Sequence, residues 1–327
     1  MKTEDIQVLE ERLHRSFRRL TPTGRAVLLG VSGGPDSMTL LSGAARLAGR
    51  LGLIFEAATV DHRLRSEARD EVALVARLAR SLGVAHHVIE APIEEKSGVE
   101  AAARTARYAA LESIRVARGL ALVATAHTAS DQAETLLMRL ARGTSLSGAA
   151  SIHEARADRV IRPLLFATRL EVEAYVAARQ LEVAHDSMND DPGFFRVRIR
   201  QEVVPALEKA AGPGAERALA RFATLAAEDE AWLSAEAARA MSLVHWPADD
   251  TLEAEALNAL GAPIARRVLA QWLTSKGVPL DGPLLEDGLR AARDRSTATL
   301  PGDRVLACSN GRVTLVAAPA RLHATSS

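Results

Sequence analysis

The stretch Val31-Ser32-Gly33-Gly34-Pro35-Asp36-Ser37 constrains this chain more than any other, because it follows directly on the apolar run Ala26-Val27-Leu28-Leu29. The pattern reads as a buried strand, a glycine turn, and a helix opening at Pro35 or Asp36. Proline fits the first helical turn, where its missing N–H would go unpaired in any case. Gly33 and Gly34 carry no side chain, so backbone N–H groups can approach an anion closely. Together with the positive end of the helix dipole they form a candidate phosphate cradle. The cradle is neither of two common ones. A P-loop needs a Lys after its last loop glycine, and the dinucleotide fingerprint needs Gly-x-Gly-x-x-Gly; both are missing here.

Downstream the strand–helix alternation continues. Strands are expected at 26–31, 55–60, 85–89 and 120–125, and helices at 36–48, 67–82, 99–118 and 131–140. Repeated βα units imply an α/β fold with a parallel, doubly wound sheet covered by helices on both faces. Ligands of such sheets bind beyond the carboxyl ends of the strands. Ser32, the Asp61-His62 pair and His127 all fall at those ends, so three separate segments converge on one crevice. Helices are also expected at 168–180, 201–210, 263–275 and 283–293, with short strands near 297–300, 305–308 and 313–316. The domains expected are 1–212, 213–245 as a linker helix, and 246–327 as a smaller α+β domain.

Composition narrows the chemistry. Cys308 is the single cysteine, which excludes a disulfide framework and a Cys-based metal or iron–sulfur site, and argues against thiol-based sulfur transfer. Formal net charge is zero, so no global basic field marks a nucleic-acid binder, although a local patch stays compatible with it. No long apolar span or leader-like segment occurs, and the expectation is a cytoplasmic protein without membrane contact.

Several polar groups are candidates for chemistry. Asp61 could bond a ribose, and Arg65 could reach a phosphate. Asp131 and Glu134, three apart at a helix start, could hold Mg²⁺ or deprotonate an attacking amine; Asp-x-x-Glu is also a capping-box spacing. Arg139 and Arg142 end that helix. In Phe195-Arg196-Val197-Arg198-Ile199-Arg200, a strand would point all three arginines one way as a phosphate comb, whereas a helix would align Arg196 with Arg200.

Ser-Gly-Gly-x-Asp-Ser after a strand resembles the pyrophosphate loop of the ATP pyrophosphatases. The full set resembles the tRNA(Ile)-lysidine synthetase family over roughly residues 24–208. The matches run in order: Ser32 to Ser37; Val60-Asp61-His62 with Leu64 to Glu67; Arg107-Tyr108; Thr125-Ala126-His127 with Asp131 to Thr135; Leu137 to Thr144; Arg162 to Leu165; Asp186, Asn189-Asp190; and Arg196, Arg198 to Arg200. The chain departs from the family pattern at Thr128, Ser130, Ser145, Ala149, Met188 and Val197.

The resemblance implies a PP-loop, adenine nucleotide alpha hydrolase-like fold and an ATP-dependent, carbon–nitrogen-bond-forming ligase. It would join L-lysine to the wobble cytidine of the isoleucine tRNA with a CAU anticodon. An adenylated cytidine would be the intermediate, and pyrophosphate and AMP would be released. The tRNA would change from methionine to isoleucine identity. The same resemblance implies roles. Ser32, Gly33, Gly34, Pro35, Asp36 and Ser37 would hold ATP phosphates, with Asp61, His62, Arg65 and His127 lining the nucleotide site. Asp36 and Asp131 would hold Mg²⁺, and Asp36, Arg107, Asp131 and Glu134 would be catalytic. Arg139, Arg142, Arg196, Arg198 and Arg200 would contact substrate or tRNA. The 246–327 domain would contact tRNA, and a homodimer is left open. The competing expectation is another PP-loop ligase, tRNA-modifying or amidating; a thiolase of that kind would need cysteines this chain lacks.

Overall fold

The computed structural model describes residues 3–21, 26–61, 68–91, 99–185, 191–280 and 282–317. His62, Arg65, the rest of 62–67, and Asp186, Asn189 and Asp190 lie outside them. The chain divides into two compact units, one of residues 1–142 and 151–224, the other of 143–150 and 225–327.

In the first unit, α1 (Thr3–Leu20) precedes β1 (Ala26–Gly30), α2 (Pro35–Leu51), β2 (Ile54–Asp61), α3 (Ala68–Ser81), β3 (Ala85–Glu90), α4 (Val99–Ala117), β4 (Leu122–Ala124) and α5 (Ala129–Ala141). After α6 (Leu146–Ala149), which belongs to the second unit, come β5 (Val160–Ile161), α7 (Arg169–Arg179), α8 (Phe195–Arg198), a π-helical turn at Ile199–Val203 and α9 (Val204–Ala211). The sheet order is β3-β2-β1-β4-β5, with every pair parallel. The expected doubly wound sheet is present, with β5 as an added edge strand too short to show a period.

Alternate residues of β1 explain why both faces are covered. Val27 and Leu29 pack with Phe17, Leu41, Phe55, Val75 and Leu164. Leu28 packs on the other face with Ala58, Leu111, Leu120 and Val123. The chain leaves β1 toward β2 and β3 on one side, and β4 and β5 lie on the other. The gap between the β1 and β4 ends is therefore the topological switch point, where such sheets open a crevice.

The helix α10 (Ala215–Val244) contains the point at which the two units are divided. The second unit holds an antiparallel sheet of order β6-β7-β10-β9-β8, made from β6 (His245–Trp246), β7 (Thr251–Glu253), β8 (Thr297–Leu300), β9 (Arg304–Ser309) and β10 (Arg312–Ala317). Helices α11 (Ala254–Ala259), α12 (Ala262–Ser275) and α13 (Gly282–Asp294) accompany it. Its core gathers Val268, Leu269, Trp272, Leu273, Leu289, Leu306 and Val313. Cys308 is buried there, with its Sγ 3.5 Å from the Ala292 carbonyl oxygen.

Candidate active site

The turn after β1 has the geometry its residues predict. Gly33 takes φ +91°, a conformation that strains any residue with a side chain, and its carbonyl accepts from the Ala184 N–H at 2.9 Å. A Cβ at Gly33 would stand 3.4 Å from the Ala184 Cβ. Gly34 caps α2 without a side-chain bond, and Pro35 opens the helix. The Ser37 hydroxyl donates to the Gly34 carbonyl at 2.9 Å, and the Ser32 N–H donates to Ser37 Oγ at 3.2 Å. These bonds fix the loop from its inner side and leave the positive helix end for an anion.

The start of α5 faces the same crevice, and here the structure departs from the spacing argument. The capping box is Thr128 with Asp131, not Asp131 with Glu134: the Thr128 N–H donates to Asp131 Oδ2 at 2.8 Å, and the Asp131 N–H to Thr128 Oγ1 at 3.3 Å. Both windows satisfy the three-residue rule, and Thr128 is the residue with extended backbone. Glu134, only 2% exposed, is thereby free for a tertiary role.

That role is an arginine clamp. Arg196 donates from Nη2 to Asp131 Oδ1 and from Nε to Glu134 Oε2, each at 2.6 Å. Arg200 donates from Nε to Glu134 Oε1 at 2.6 Å and from Nη2 to Oε2 at 3.1 Å. The segment 195–203 is helical, so of the two alternatives the aligned pair Arg196 and Arg200 is realised. Val197 and Ile199 are buried, and Arg198 is exposed. The π turn at 199–203 adds a residue to the helical repeat just where Arg200 meets Glu134.

Charge in the crevice is tightly balanced. Burial, followed by the Asp131 charge, raises the Asp36 carboxyl from 3.8 to about 7, with Arg169 and Arg200 opposing. Burial pushes against ionisation of Asp131 too, but Arg196, His127 and the Thr128 bonds outweigh it, and its pKa is lowered. His127 drops from 6.5 to about 4, through burial and then the repulsion of Arg162, Arg104 and Arg196, against the attraction of Asp131. It is therefore neutral at physiological pH, and its Nδ1 lies 3.1 Å from Thr125 Oγ1.

A stability effect follows with a definite sign. A carboxyl whose folded pKa lies above its unfolded one contributes most below the unfolded value and loses that contribution as pH rises through the folded one. For Asp36 the window runs from about 4 to about 7. The difference in melting temperature between Asp36→Asn and wild type, both ligand-free, should grow in favour of the variant across that window. A flat difference would contradict the desolvation and Asp131 repulsion that raise Asp36.

The remaining sites divide. Asp61 ends β2, half-buried. Arg107 is exposed on α4. Its neighbour Tyr108 lies under two guanidiniums, Arg104 at 5.3 Å and Arg156 at 5.0 Å from the ring centroid. Arg139, Arg142 and Arg198 are exposed; Arg139 donates to the Ser151 carbonyl, and Arg198 to the carbonyls of Pro192 and Gly193. Sequence reasoning assigned no role to Arg162, 2% exposed just past β5, or to Arg169, whose guanidinium lies 4.0 Å from Glu134. Arg162 follows a strand end, the same signal that singled out Ser32 and His127.

Residues 7–207 match the model of the PP-loop domain family, which places the chain in that class of ATP-using proteins. Over nearly its whole length it is also similar to named relatives. It is 37% identical over 307 residues to the tRNA(Ile)-lysidine synthase of Thermobifida fusca (strain YX), covering 91% of this chain and 94% of that one. It is 38% identical over 307 residues to the tRNA(Ile)-lysidine synthase of Streptomyces coelicolor, covering 90% and 86%. The chain belongs to the tRNA(Ile)-lysidine synthase family. Among solved structures, the U34-tRNA thiolase NcsA from Methanococcus maripaludis, with its 4Fe–4S cluster, superposes with a TM-score of 0.60 at 16% identity over 70% of this chain and 81% of that one, a likeness of fold.

Proposed function

We propose that this protein joins L-lysine to the wobble cytidine of an isoleucine tRNA bearing a CAU anticodon, using ATP and changing the tRNA from methionine to isoleucine identity. The observation that carries the reading is the meeting, at one sheet switch point, of a side-chain-free phosphate turn with the Asp36 and Asp131 carboxylates. In this reading the Ser32–Ser37 turn holds the β and γ phosphates. The cytidine carbonyl oxygen attacks the α phosphorus and pyrophosphate leaves. The lysine amine then bonds to the ring carbonyl carbon, the carbon–oxygen bond to AMP breaks, and the amine gives up a proton.

Asp36 and Asp131 suit Mg²⁺, which takes one or two carboxylates and fills its shell with phosphate oxygens and water. Burial, followed by the Asp131 repulsion, raises Asp36, and a bound cation would offset both. Such an ion would neutralise phosphate charge as pyrophosphate departs. Neutral His127 can donate or accept one hydrogen bond at the reacting base without adding charge. Glu134 accepts three bonds from two guanidiniums, so we assign it to holding Arg196 and Arg200. Asp131 accepts from Thr128 on Oδ2 and from Arg196 on Oδ1, and Oδ1 keeps a lone pair for a cation. Arg107, exposed on α4, is assigned to the charge developing on the leaving AMP.

No helix among the described residues is long and apolar enough to cross a membrane, in keeping with a cytoplasmic tRNA enzyme. The second unit is assigned to contacts with the tRNA body. No observation favours sulfur transfer, since the single cysteine is buried in the second unit.

The stoichiometry tests the reading. One AMP and one pyrophosphate should form per lysine incorporated, and only when tRNA and lysine are both present. Release of ADP, or tRNA-independent turnover with ammonia, would overturn it.

A further inference from the structure

We propose that Phe195, bracketed by the guanidinium groups of Arg142 and Arg198, is a stacking platform for an unpaired base of the RNA substrate. This rests on the reading above and adds where a second nucleotide is held. Arg142, the C-cap of α5, lies 5.5 Å from the Phe195 ring centroid; Arg198, on α8, lies 5.8 Å from it. The two cations come from elements more than fifty residues apart, so the tertiary fold brings them to one ring. Among the described residues neither guanidinium meets a carboxylate. Arg198 is instead fixed by the Pro192 and Gly193 carbonyls, at 2.8 and 3.1 Å. Two like charges share one aromatic ring, with no carboxylate paired to either among the described residues.

The surroundings are open and partly apolar. Phe194 is 41% exposed, and Leu140, two residues before Arg142, is 50% exposed. Phe195 itself is half-buried, so part of its ring is open to solvent. A partly open aromatic flanked by arginines is the chemistry that holds single-stranded nucleic acid: the ring takes a base by stacking, and the cations take the adjoining phosphates. An acidic peptide would use the arginines and leave the ring idle.

Position supports a neighbour of the reacting base. Phe195 is followed by Arg196, whose guanidinium pairs with Asp131 and Glu134. On the other side, α5 runs eight residues from Glu134 to Arg142, about 12 Å at helical rise. The platform and the carboxylate clamp are therefore two ends of one short, rigid frame.

The test uses the full chain and an anticodon stem–loop RNA with a CAU anticodon, carrying 2-aminopurine at each loop position in turn. Wild type should quench the fluorescence at one loop position. Phe195→Leu, which keeps apolar bulk and removes the π face, should lose the quench and bind about tenfold more weakly. Phe195→Tyr should restore both, a pattern that simple packing would not produce. ATP affinity should be the same in all three proteins. Arg142→Gln and Arg198→Gln should each lower the salt slope of RNA binding by about one. Binding without a quench at any loop position, or equal behaviour of the Leu and Tyr variants, would overturn the platform. So would a loss of ATP affinity in Phe195→Leu, which would assign the ring to adenine. The outcomes separate the two readings. Quenching without lysine incorporation by wild type would remove the lysidine reading and keep the platform. Incorporation without quenching would remove the platform alone, and absence of RNA binding would remove both.

Discussion

Asp36→Asn should lower lysine transfer by roughly a thousandfold, about 4 kcal/mol of barrier, while raising the melting temperature of the ligand-free protein at pH 8. The two effects have one origin. Asp36 is half-buried, and desolvation followed by the Asp131 charge makes its ionisation costly in the ligand-free protein. Asn keeps the shape and removes the charge. The repulsion goes, and with it a ligand for the cation that the ATP phosphates bring. Activity and stability should therefore move in opposite directions, a signature that damage to the fold cannot imitate. Steady-state kinetics beside thermal melts would check it. Activity within tenfold of wild type would remove Asp36 from the site.

The second large effect is structural. Glu134→Ala should destabilise the protein by about 3–5 kcal/mol, the range found when one partner of a buried ion pair is removed. Glu134 accepts from Arg196 at 2.6 Å and from Arg200 at 2.6 and 3.1 Å. Its loss leaves Arg200 without a carboxylate partner among the described residues and removes one of the two carboxylates described on Arg196. The helical segment from Phe195 to Val203 would lose its anchor on α5, and transfer should fall along with stability. Glu134→Gln should lie between, because the amide oxygen can still accept one bond while its NH₂ faces a guanidinium. Urea denaturation of the three proteins would measure it. A Glu134→Ala variant within 1 kcal/mol of wild type (a loss small for any buried pair) would show that the clamp is not holding the segment.

What could be read from the chain, and what could not, follows from range. The turn at Ser32–Ser37 obeys local rules of glycine and proline, and its geometry matches them. The sheet follows from repeated apolar strands separated by amphipathic helices. Strand ends place Ser32, Asp61 and His127 at the carboxyl end of the sheet. The clamp was out of reach: Arg196 and Arg200 meet carboxylates 62 to 66 positions away. Nothing in their spacing distinguishes an ion pair from a phosphate contact. The helical alternative for 195–200 is told apart by Arg198: Arg196 and Arg200 turn together toward α5, while Arg198 bonds the Pro192 and Gly193 carbonyls, whereas burial of Val197 and Ile199 would suit a strand equally. The capping box at Thr128 was hidden because two overlapping windows meet the same spacing. The two-residue strands β5 and β6 are shorter than one period of alternation.

The central claim meets its most direct test in labelled lysine. Wild-type protein, ATP and Mg²⁺ are incubated with an isoleucine tRNA transcript bearing a CAU anticodon, beside the methionine tRNA transcript with the same anticodon. The account predicts ATP-dependent incorporation into the isoleucine transcript, little or none into the other, and loss of incorporation in Asp36→Asn. Failure to incorporate lysine into either transcript, with ATP still cleaved to AMP and pyrophosphate, would contradict it and assign the crevice to a different substrate.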